Sequence, residues 1–276
     1  MAVLYVVGTP IGNLGDFSPR AAEILKQVDF IAAEDTRVTL KLINYLGIKK
    51  PMVSYHEHNL RERGQIIAER IQAGESCALV SDAGMPCISD PGEDLVRLCA
   101  GQGIGICIIP GPSAAVSALA VSGLSTSRFT FEGFLSRNRA GRREHLASLK
   151  RESRTMIFYE APHKLMGTLQ DFEETFGGNR AMSVCRELTK IHEQVLRTTV
   201  KGALDYFSEN VPKGEFVLVL EGAPVEETKT YSLEEAVSLA RDWMAEGSRA
   251  TDASREAARE TGFAKAEIYR RLVKKE

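Results

Sequence analysis

Three loops rich in glycine and proline could carry chemistry, because each of them follows a predicted strand. They span residues 8–13, 81–92 and 110–114. None of the three contains lysine or arginine, and none matches the glycine patterns that hold dinucleotides or nucleoside triphosphates. A site for a di- or triphosphate usually supplies a cation together with backbone amides. These loops supply backbone groups and two carboxylates, Asp82 and Asp90, and therefore favour a ligand with a positive centre.

A sulfonium, a small carboxylate and an adenosine, which S-adenosylmethionine combines, would fit such loops. The sulfonium favours nearby carbonyl or carboxylate oxygens, and the carboxylate of the ligand can accept hydrogen bonds from backbone N–H groups. Two alternatives stay open. The glycines and prolines can serve only to shape tight turns. Glu34 and Asp35 also lie about 20 residues after Gly12, near the spacing of the ribose-binding acid in dinucleotide enzymes, although the phosphate fingerprint is absent.

The elements that would position these loops alternate between strands and helices. Five short apolar runs predict strands, at residues 4–7, 30–33, 52–55, 77–81 and 105–109. The run at 77–80 lacks two-residue alternation, as expected for a strand covered on both faces. Ser18 followed by Pro19 is typical of a helix start, and Gly47 and Gly74 stand where helices should end. This order predicts a mostly parallel sheet with the three loops at its carboxyl edge.

After residue 123 the pattern is that of a second α/β domain with a mixed sheet. Strands are predicted at residues 129–132, 155–159, 181–185, 193–199 and 216–220, and helices at about 161–176 and 201–210. The short gap between the third and fourth of these strands favours antiparallel pairing. We therefore expect two α/β domains, at residues 1–122 and 123–223.

A polar segment at residues 223–230 predicts a linker, and residues 230–276 predict a small all-α domain. Ala258, Gly262 and Ile268 have the spacing of a helix-turn-helix. In that motif a small residue allows a close crossing, a glycine makes the turn and an aliphatic residue anchors the second helix. A plain helical hairpin is the alternative, and contact of these helices with nucleic acid is left open.

Composition excludes several classes of protein. The chain has 276 residues, of which 43% are hydrophobic and 26% charged, as in soluble globular proteins rather than disordered ones. The net charge is -2, so nucleic-acid binding would need a local basic patch. The five cysteines form no CxxC pair and predict reduced thiols in the cytoplasm. We expect no signal peptide, because the N-terminal apolar stretch is too short and uncharged for one. We expect no membrane span, because no apolar run approaches about 18 residues.

Two histidines, His56 and His58, invite comparison with a metal site. They stand two residues apart without supporting cysteines, which is weak evidence for a metal. Contact with solvent or with RNA is the favoured interpretation, and no metal site is predicted.

Several motifs together resemble one family. In the first half they are residues 7–14, 33–37, 81–86, 89–92 and 110–114, and in the second half residues 158–164, 185–190 and 213–216. These stretches look like those of the 16S rRNA (cytidine-2′-O)-methyltransferases, which belong to the tetrapyrrole-methylase-like superfamily. The resemblance covers roughly residues 3–222, and the C-terminal helices also fit the segment that the family appends.

The resemblance implies a methyl donor, S-adenosylmethionine, in a cleft between two αβα domains. It also implies 2′-O-methylation of a cytidine in the decoding region of small-subunit rRNA, and a homodimer. By position, the residues expected to line the donor pocket are Pro10, Asp82, Ala83, Gly84, Ile88, Ser113 and Ala114.

Methyl transfer to a hydroxyl needs in-line alignment and a group that removes the proton or stabilises the developing alkoxide. Glu160 and Lys164 are four residues apart at the predicted start of one helix and so would share a face. Arg186 and Glu187 follow a predicted strand. We expect Glu160 or Glu187 to act as base or orienting group, and Lys164 or Arg186 to hold RNA charge. Structural ion pairs are the alternative for all four.

A basic segment, residues 137–154, is the candidate for RNA contact. It has seven lysines and arginines against Glu144 and Glu152, and residues 139–142 look like a mobile loop. A basic loop beside the cleft would act as a phosphate clamp, whereas a solvated helix face is the alternative. The candidate RNA-binding residues are Arg137, Arg139, Arg142 and Arg143. Charge reversal of Arg142 and Arg143 is expected to weaken RNA binding and to spare donor binding.

Two other functions remain as alternatives. A small-molecule methylase acting on a tetrapyrrole would have no obvious use for the basic segment. A helix-turn-helix regulator with a ligand-sensing α/β part would bind duplex DNA without turnover. The sequence leaves open whether the RNA substrate is naked or part of an assembled subunit, and where a dimer interface lies.

Overall fold

The first sheet is made of five parallel strands. The computed structural model describes residues 2–224 and 231–273. The strands are β1 (Val3–Val7), β2 (Phe30–Ala33), β3 (Met52–Ser54), β4 (Cys77–Val80) and β5 (Gly105–Ile109). They lie in the order β3-β2-β4-β1-β5, and every neighbouring pair is parallel. Their carboxyl ends therefore meet at one edge, as the sequence predicted.

Helices cover both faces of this sheet because its strands alternate their apolar side chains between the two faces. The helices are α1 (Pro19–Gln27), α2 (Thr36–Tyr45), α3 (Leu60–Gln72) and α4 (Glu93–Gly101). Phe30 and Leu79 face α3 and α4, whereas Ile31 and Val80 face α1 and α2. The predicted start of α1 is confirmed, since the Ser18 side chain accepts a hydrogen bond from the Ala21 amide.

The second sheet is mixed. Its strands are β6 (Phe129–Phe134), β7 (Thr155–Glu160), β8 (Ala181–Arg186), β9 (Gln194–Thr199) and β10 (Phe216–Leu220). The order is β6-β7-β10-β8-β9; β6 and β7 are parallel, and the other pairs are antiparallel. The antiparallel pairing predicted for β8 and β9 is confirmed. One face packs against helices α6 (Arg139–Ser148), α7 (Leu165–Phe176) and α8 (Val200–Glu209).

Helix α5 (Ala114–Ser122) covers the other face of the second sheet. It follows β5 of the first sheet, and the sequence analysis assigned it to the first domain. Its buried residues Ala118 and Leu119 belong to an apolar cluster with Val217 and Val219 of β10. Residues Met1–Ala223 accordingly form one compact unit that contains both sheets.

The C-terminal residues Pro224–Glu276 form a second unit. Three helices, α9 (Leu233–Ala245), α10 (Ala250–Thr261) and α11 (Lys265–Val273), pack against one another in pairs. Gly262 ends α10 in the left-handed region with φ of 78°, and Ile268 is buried, as a helix-turn-helix shape requires. Ala257 is completely buried, whereas the predicted contact residue Ala258 is only partly buried. Residues 225–230 of the predicted linker, and residues 274–276, lie outside the described residues.

Two predicted elements were wrong in detail. The segment around residues 139–142, expected to be a mobile loop, forms the first turn of α6, and the Asn138 side chain caps it by accepting a hydrogen bond from the Ala140 amide. The helix expected from residue 161 begins only at Leu165, after a turn. None of the helices within residues 2–224 and 231–273 is long and apolar enough to cross a membrane.

The ends of β1 and β5 touch through their backbones. The Gly8 amide donates to the Ile109 carbonyl at 3.0 Å. A Cβ atom on Gly8 would lie 2.7 Å from the Gly111 Cα atom, closer than real Cβ atoms come to any heavy atom. The first and third glycine–proline loops can therefore meet only because both positions are glycine.

We expect Gly8→Ala to lower the free energy of unfolding by about 1–3 kcal/mol, the usual cost of forcing extra volume into a packed site. Two of the three atoms in its way are backbone atoms of Gly111, which cannot rotate aside, and the third is the Met85 sulfur. Urea denaturation followed by circular dichroism measures the change. Gly101→Ala is the matched control, because its Cβ would meet nothing within 4 Å at the end of α4. Equal stability of the two variants would contradict the packing argument.

Candidate active site

Hydrogen bonds join the loops that follow β1 and β4. The amide of Thr9 donates to the Gly84 carbonyl at 2.8 Å, and the amide of Gly84 donates back to Thr9 at 3.2 Å. The Thr9 hydroxyl also donates to the Ser81 carbonyl at 3.2 Å. The two loops thus form one rigid wall at the carboxyl edge of the first sheet.

A cavity of about 330 Å³ lies between this wall and the second sheet. The first half contributes Ile11, Glu34, Asp82, Ala83, Gly84, Met85, Ile88, Asp90, Ser113 and Ala114. The second half contributes Phe134, Tyr159, Glu160, Ala161, Pro162, Cys185, Leu188, Glu215, Phe216 and Val217. Six of the seven residues expected to line a donor pocket lie here. Pro10 is not among the described residues lining the cavity, although its neighbour Ile11 is.

The charges at the cavity are all negative. Five carboxylates line it, and among its described lining residues there is no lysine, arginine or histidine. Burial raises the pKa of Glu34 and of Asp82 above their ordinary values. Burial, and then the charge of Glu34, raises the pKa of Asp90 to about 6. Raised carboxyl pKa values mean that a bound positive charge would be favourable, because it would stabilise the ionised forms.

Backbone amides position two of these carboxylates. The Asp35 amide donates to the Asp82 carboxylate at 3.1 Å, and the Asp82 amide donates to the Glu34 carboxylate at 3.3 Å. The nearby guanidinium of Arg37 is bound by Asp35 at 2.6 Å. This reciprocal link fixes the ends of β2 and β4 relative to each other and keeps both acids directed at the cavity.

Residues with side chains adopt left-handed backbone conformations beside the cavity. They are Cys87, Ser89, Glu187 and Thr189, with φ between 51° and 72°. Such conformations cost on the order of 1–3 kcal/mol each and cluster at functional sites. Both strained segments adjoin lining residues, Ile88 in the first half and Leu188 in the second.

Glu160 is the candidate catalytic residue that the structure places on the cavity. It ends β7 and is only 4% exposed. Its carboxylate accepts hydrogen bonds from the Ala161 amide at 2.9 Å and from the Thr168 hydroxyl at 2.5 Å. Its neighbour Tyr159 accepts a hydrogen bond from the Ala115 amide at 3.2 Å and has a pKa raised by burial. The end of β7 is thereby tied to the start of α5.

The other three candidate catalytic residues, Lys164, Arg186 and Glu187, are not among the described lining residues. Lys164 precedes α7 in a turn, so the expectation that it shares a helix face with Glu160 was wrong. Arg186 donates to the Lys213 carbonyl at 2.6 Å. Glu187 accepts from Lys190 and from the Glu215 amide, both at 2.9 Å, and the Lys190 hydrogen bond lowers its pKa. These contacts shape the loop before β10.

The arginines of α6 converge on α7. Arg142, with its side chain 13% exposed, pairs with Asp171, whose side chain is 1% exposed, at 2.5 Å. Arg143 lies 3.2 Å from the same carboxylate and also pairs with Glu174. Arg139 is more exposed and lies 3.8 Å from Asp171, and Arg137 is exposed before the helix. Arg142 is therefore a structural ion-pair partner, and RNA contact by the other three stays a prediction.

The histidine pair lies at the end of β3. His56 is partly buried, and its Nε2 atom lies 3.2 Å from Nδ2 of Asn59, whereas His58 is exposed. Within the described part of the chain, no three histidine, cysteine, aspartate or glutamate side chains come together as metal ligands.

Phe134, Tyr159 and Glu215 line the cavity but were not predicted to do so. Asp90 was predicted, with Asp82, to favour a positive ligand, but it was not named among the residues of the donor pocket. Tyr159 had a signal, since it stands next to Glu160 at a strand end. Phe134 had none, because its position depends on an irregularity in β6.

Comparison with known proteins places this architecture in a family. The family model described as tetrapyrrole (corrin/porphyrin) methylases matches residues 3–203. A Synechocystis sp. protein named ribosomal RNA small subunit methyltransferase I is 50% identical over 269 residues, which is 98% of this chain and 96% of that protein. The chain belongs to the tetrapyrrole methylase family, in the group of ribosomal RNA small subunit methyltransferases I. It is a methyltransferase.

Other relatives of this methylase agree. The Bacillus subtilis protein of the same name is 42% identical, with 98% of this chain and 93% of that protein covered. The crystal structure of uroporphyrin-III-C-methyltransferase from Thermus thermophilus has a TM-score of 0.57 at 18% identity, covering 80% of this methylase and 94% of that chain. That likeness concerns the fold alone.

In this methylase, Arg142→Glu is expected to destabilise the fold rather than to report on RNA. The change would place a second carboxylate beside buried Asp171, and breaking a buried ion pair costs about 3–5 kcal/mol. Urea denaturation measures this. Arg137→Glu, at an exposed position in the same basic segment, should stay within about 0.5 kcal/mol of wild type. A fully stable Arg142→Glu variant would show that the Arg142–Asp171 pair does not support the packing of α6 on α7.

Proposed function

We propose that this protein transfers the methyl group of S-adenosylmethionine to the 2′-hydroxyl of a cytidine in the decoding region of 16S rRNA. The observation that carries the proposal is the 50% identity, over 98% of the chain, to a protein named ribosomal RNA small subunit methyltransferase I. The motifs that resemble the 16S rRNA (cytidine-2′-O)-methyltransferases support the nature of the acceptor.

The chemistry of the cavity supports a sulfonium donor. S-adenosylmethionine, when bound, supplies a methyl group on a positively charged sulfur. Asp82 and Asp90 would face that charge, and Ala83, Gly84, Ile88, Ser113 and Ala114 would surround the rest of the donor. Pro10, which precedes the lining residue Ile11 in the sequence, would fix the loop that carries Ile11. A nucleoside polyphosphate suits this cavity poorly, because five carboxylates line it and its described lining residues include no cation.

In the proposed reaction the ribose oxygen forms a bond to the methyl carbon while the carbon–sulfur bond breaks. The sulfur keeps the electron pair and becomes a neutral thioether, and the hydroxyl proton goes to a carboxylate and then to water. We assign proton acceptance to Glu160, which already accepts from a hydroxyl at Thr168 and an amide at Ala161. Glu187 and Arg186 would position the neighbouring loop, and Lys164 would contact RNA charge from the start of α7.

The basic segment supports an RNA acceptor. We propose that Arg137, Arg139 and Arg143 contact phosphates, while Arg142, held by Asp171, keeps α6 in place for them. Since phosphate contacts position RNA without reading its sequence, they would set register and affinity.

We further propose a cytoplasmic homodimer acting on the small subunit. An rRNA acceptor requires access to ribosomes or their precursors. The edge strand β5 and helix α5 support self-association, since they expose apolar side chains at Ile106, Ile108, Val116 and Val121.

The test of the function uses methyl-labelled donor with unmethylated small ribosomal subunits, free 16S rRNA or a porphyrinoid. We expect label at one cytidine ribose in RNA or subunits. Arg137→Glu with Arg139→Glu should reduce kcat/KM for RNA at least tenfold, because each lost phosphate contact weakens binding. Lys26→Glu, an exposed control on α1, should leave it unchanged. Label in the porphyrinoid alone would establish the small-molecule alternative and refute the proposal.

A pH experiment tests the role of Asp90. Since its pKa is raised to about 6, its ionised form is lost as the pH falls from 7 to 5. Affinity for the sulfonium should therefore fall by up to about tenfold over that range. S-adenosylhomocysteine, whose sulfur is neutral, should show much less dependence, and Asp90→Asn should reduce the difference between the two ligands. Calorimetry at each pH measures both. The same pH dependence for both ligands would rule out a charge–charge role for Asp90.

A further inference from the structure

One aromatic ring at the cavity is left uncovered. Phe134 ends β6 and lines the cavity, yet it is 58% exposed. Phe158 of β7 and Phe172 of α7, which pack together at the opposite face of the same sheet, are completely buried in the core. A large exposed apolar ring beside a cavity is unfavourable in water, so a partner that covers it would gain apolar contact area.

A bulge in β6 directs Phe134 to the cavity. Phe131 pairs with Ile157 and Gly133 pairs with Phe158, so Glu132 is an extra residue in the ladder. In a regular strand, residues 131 and 134 would point to opposite faces. The bulge cancels that alternation, and both rings contact Tyr159, with centroid distances of 5.0 and 5.4 Å.

Gly133 makes the bulge feasible. Its φ of 62° lies in the left-handed region, which favours glycine. A Cβ atom there would also lie 3.2 Å from the Ser89 hydroxyl oxygen of the strained loop after β4. The backbone of β6 is thus fitted against the wall of the cavity at the residue before Phe134.

Tyr159 holds the ring of Phe134 in place from the side. The Tyr159 hydroxyl accepts from the Ala115 amide at 3.2 Å, which fixes the tyrosine. Phe134 meets that ring edge to face, at an interplanar angle of 63°. The aromatic ring is therefore oriented before any ligand arrives, and it lines the same cavity as Glu160.

We propose that Phe134 is the platform on which the base of the target nucleotide stacks while its ribose faces Glu160. This inference rests on the proposed function. Proteins that recognise single-stranded RNA stack unpaired bases on aromatic rings, and enzymes that modify a nucleotide turn it out of its helix into a pocket. Phe134 lies on the second-sheet side with Glu160, whereas the loops assigned to the methyl donor come from the first sheet.

The test compares Phe134→Ala with wild type on two substrates. The first is small subunits with the natural target cytidine, and the second is subunits rebuilt with an abasic ribonucleotide at that position. The acceptor hydroxyl belongs to the ribose and is present in both. Base–aromatic stacking predicts that Phe134→Ala lowers kcat/KM on the natural target by about 10- to 100-fold. The kcat/KM of wild type should fall by a similar factor on the abasic target. The kcat/KM of Phe134→Ala should be little lower on the abasic target than on the natural target.

Two further variants separate stacking from structure. Phe134→Trp should restore most of the activity, because an indole ring also stacks. Phe129→Ala is the matched control: it removes the same side chain from the same strand, 42% exposed and outside the described cavity lining, and should leave kcat/KM unchanged. Affinity for S-adenosylmethionine, measured by calorimetry, should change less than twofold in all three.

Results that overturn only this inference can be distinguished from results that also refute the proposed function. A large loss of donor affinity in Phe134→Ala would assign the ring to the donor and overturn the inference. The inference would also be overturned if the loss of kcat/KM caused by the variant and the loss caused by the abasic target multiplied when the two were combined. Either result leaves the proposed function intact if wild type labels the natural target. Absence of labelling by wild type would refute the proposed function, and this inference with it.

Discussion

Helix α5 begins at a loop of one sheet and packs on the other. Its small apolar side chains, Ala115 and Ala118, let the helix lie close to Ile157 and Val217 of the second sheet. The loop at residues 110–113 therefore cannot move without disturbing a buried cluster. Because Gly111 also touches Gly8, the constraint passes on to the loop after β1 and, through Thr9, to the loop after β4. The cavity depends on this chain of close contacts between small residues.

The negative character of the cavity results from where the cations are bound as much as from where the acids are. Arg37 pairs with Asp35, Lys190 pairs with Glu187 and Glu215, and Arg186 donates to a backbone carbonyl. These three positive groups are held outside the described lining by partners of their own. Burial at the cavity is the main reason why the pKa values of Glu34, Asp82 and Asp90 are raised, and repulsion from neighbouring carboxylates adds to it.

Much of this arrangement could be predicted from local sequence. The predicted strands match all ten observed strands to within about two residues. A strand such as β4, which is covered on both faces, was recognisable from its uninterrupted apolar run. The rule that ligands bind at the carboxyl ends of parallel strands placed Asp82, Gly84 and Ser113 together. What failed depended on contacts distant in sequence. Nothing near Arg142 shows that Asp171 on the next helix will bury against it.

The bulge in β6 illustrates a second limit. The sequence around Gly133 is compatible with a regular strand, and only the pairing with β7 shows that one residue is extra. A shift of one residue reverses which side chains reach the cavity, and Phe134 also lies two residues beyond the predicted end of the strand, so it was not foreseen. The late start of α7 had a similar effect on Lys164, because a helix start determines which residues share a face.

The uniform sign of charge in the cavity also bears on how a catalytic cycle ends. For the proposed donor, the positive charge is consumed by the reaction, since the spent molecule carries a neutral thioether. The carboxylates that attracted the donor then lose their electrostatic attraction to what remains, while a fresh donor still feels it. An acidic cavity of this kind would resist inhibition by its own product and favour exchange of spent for fresh donor, without any moving part.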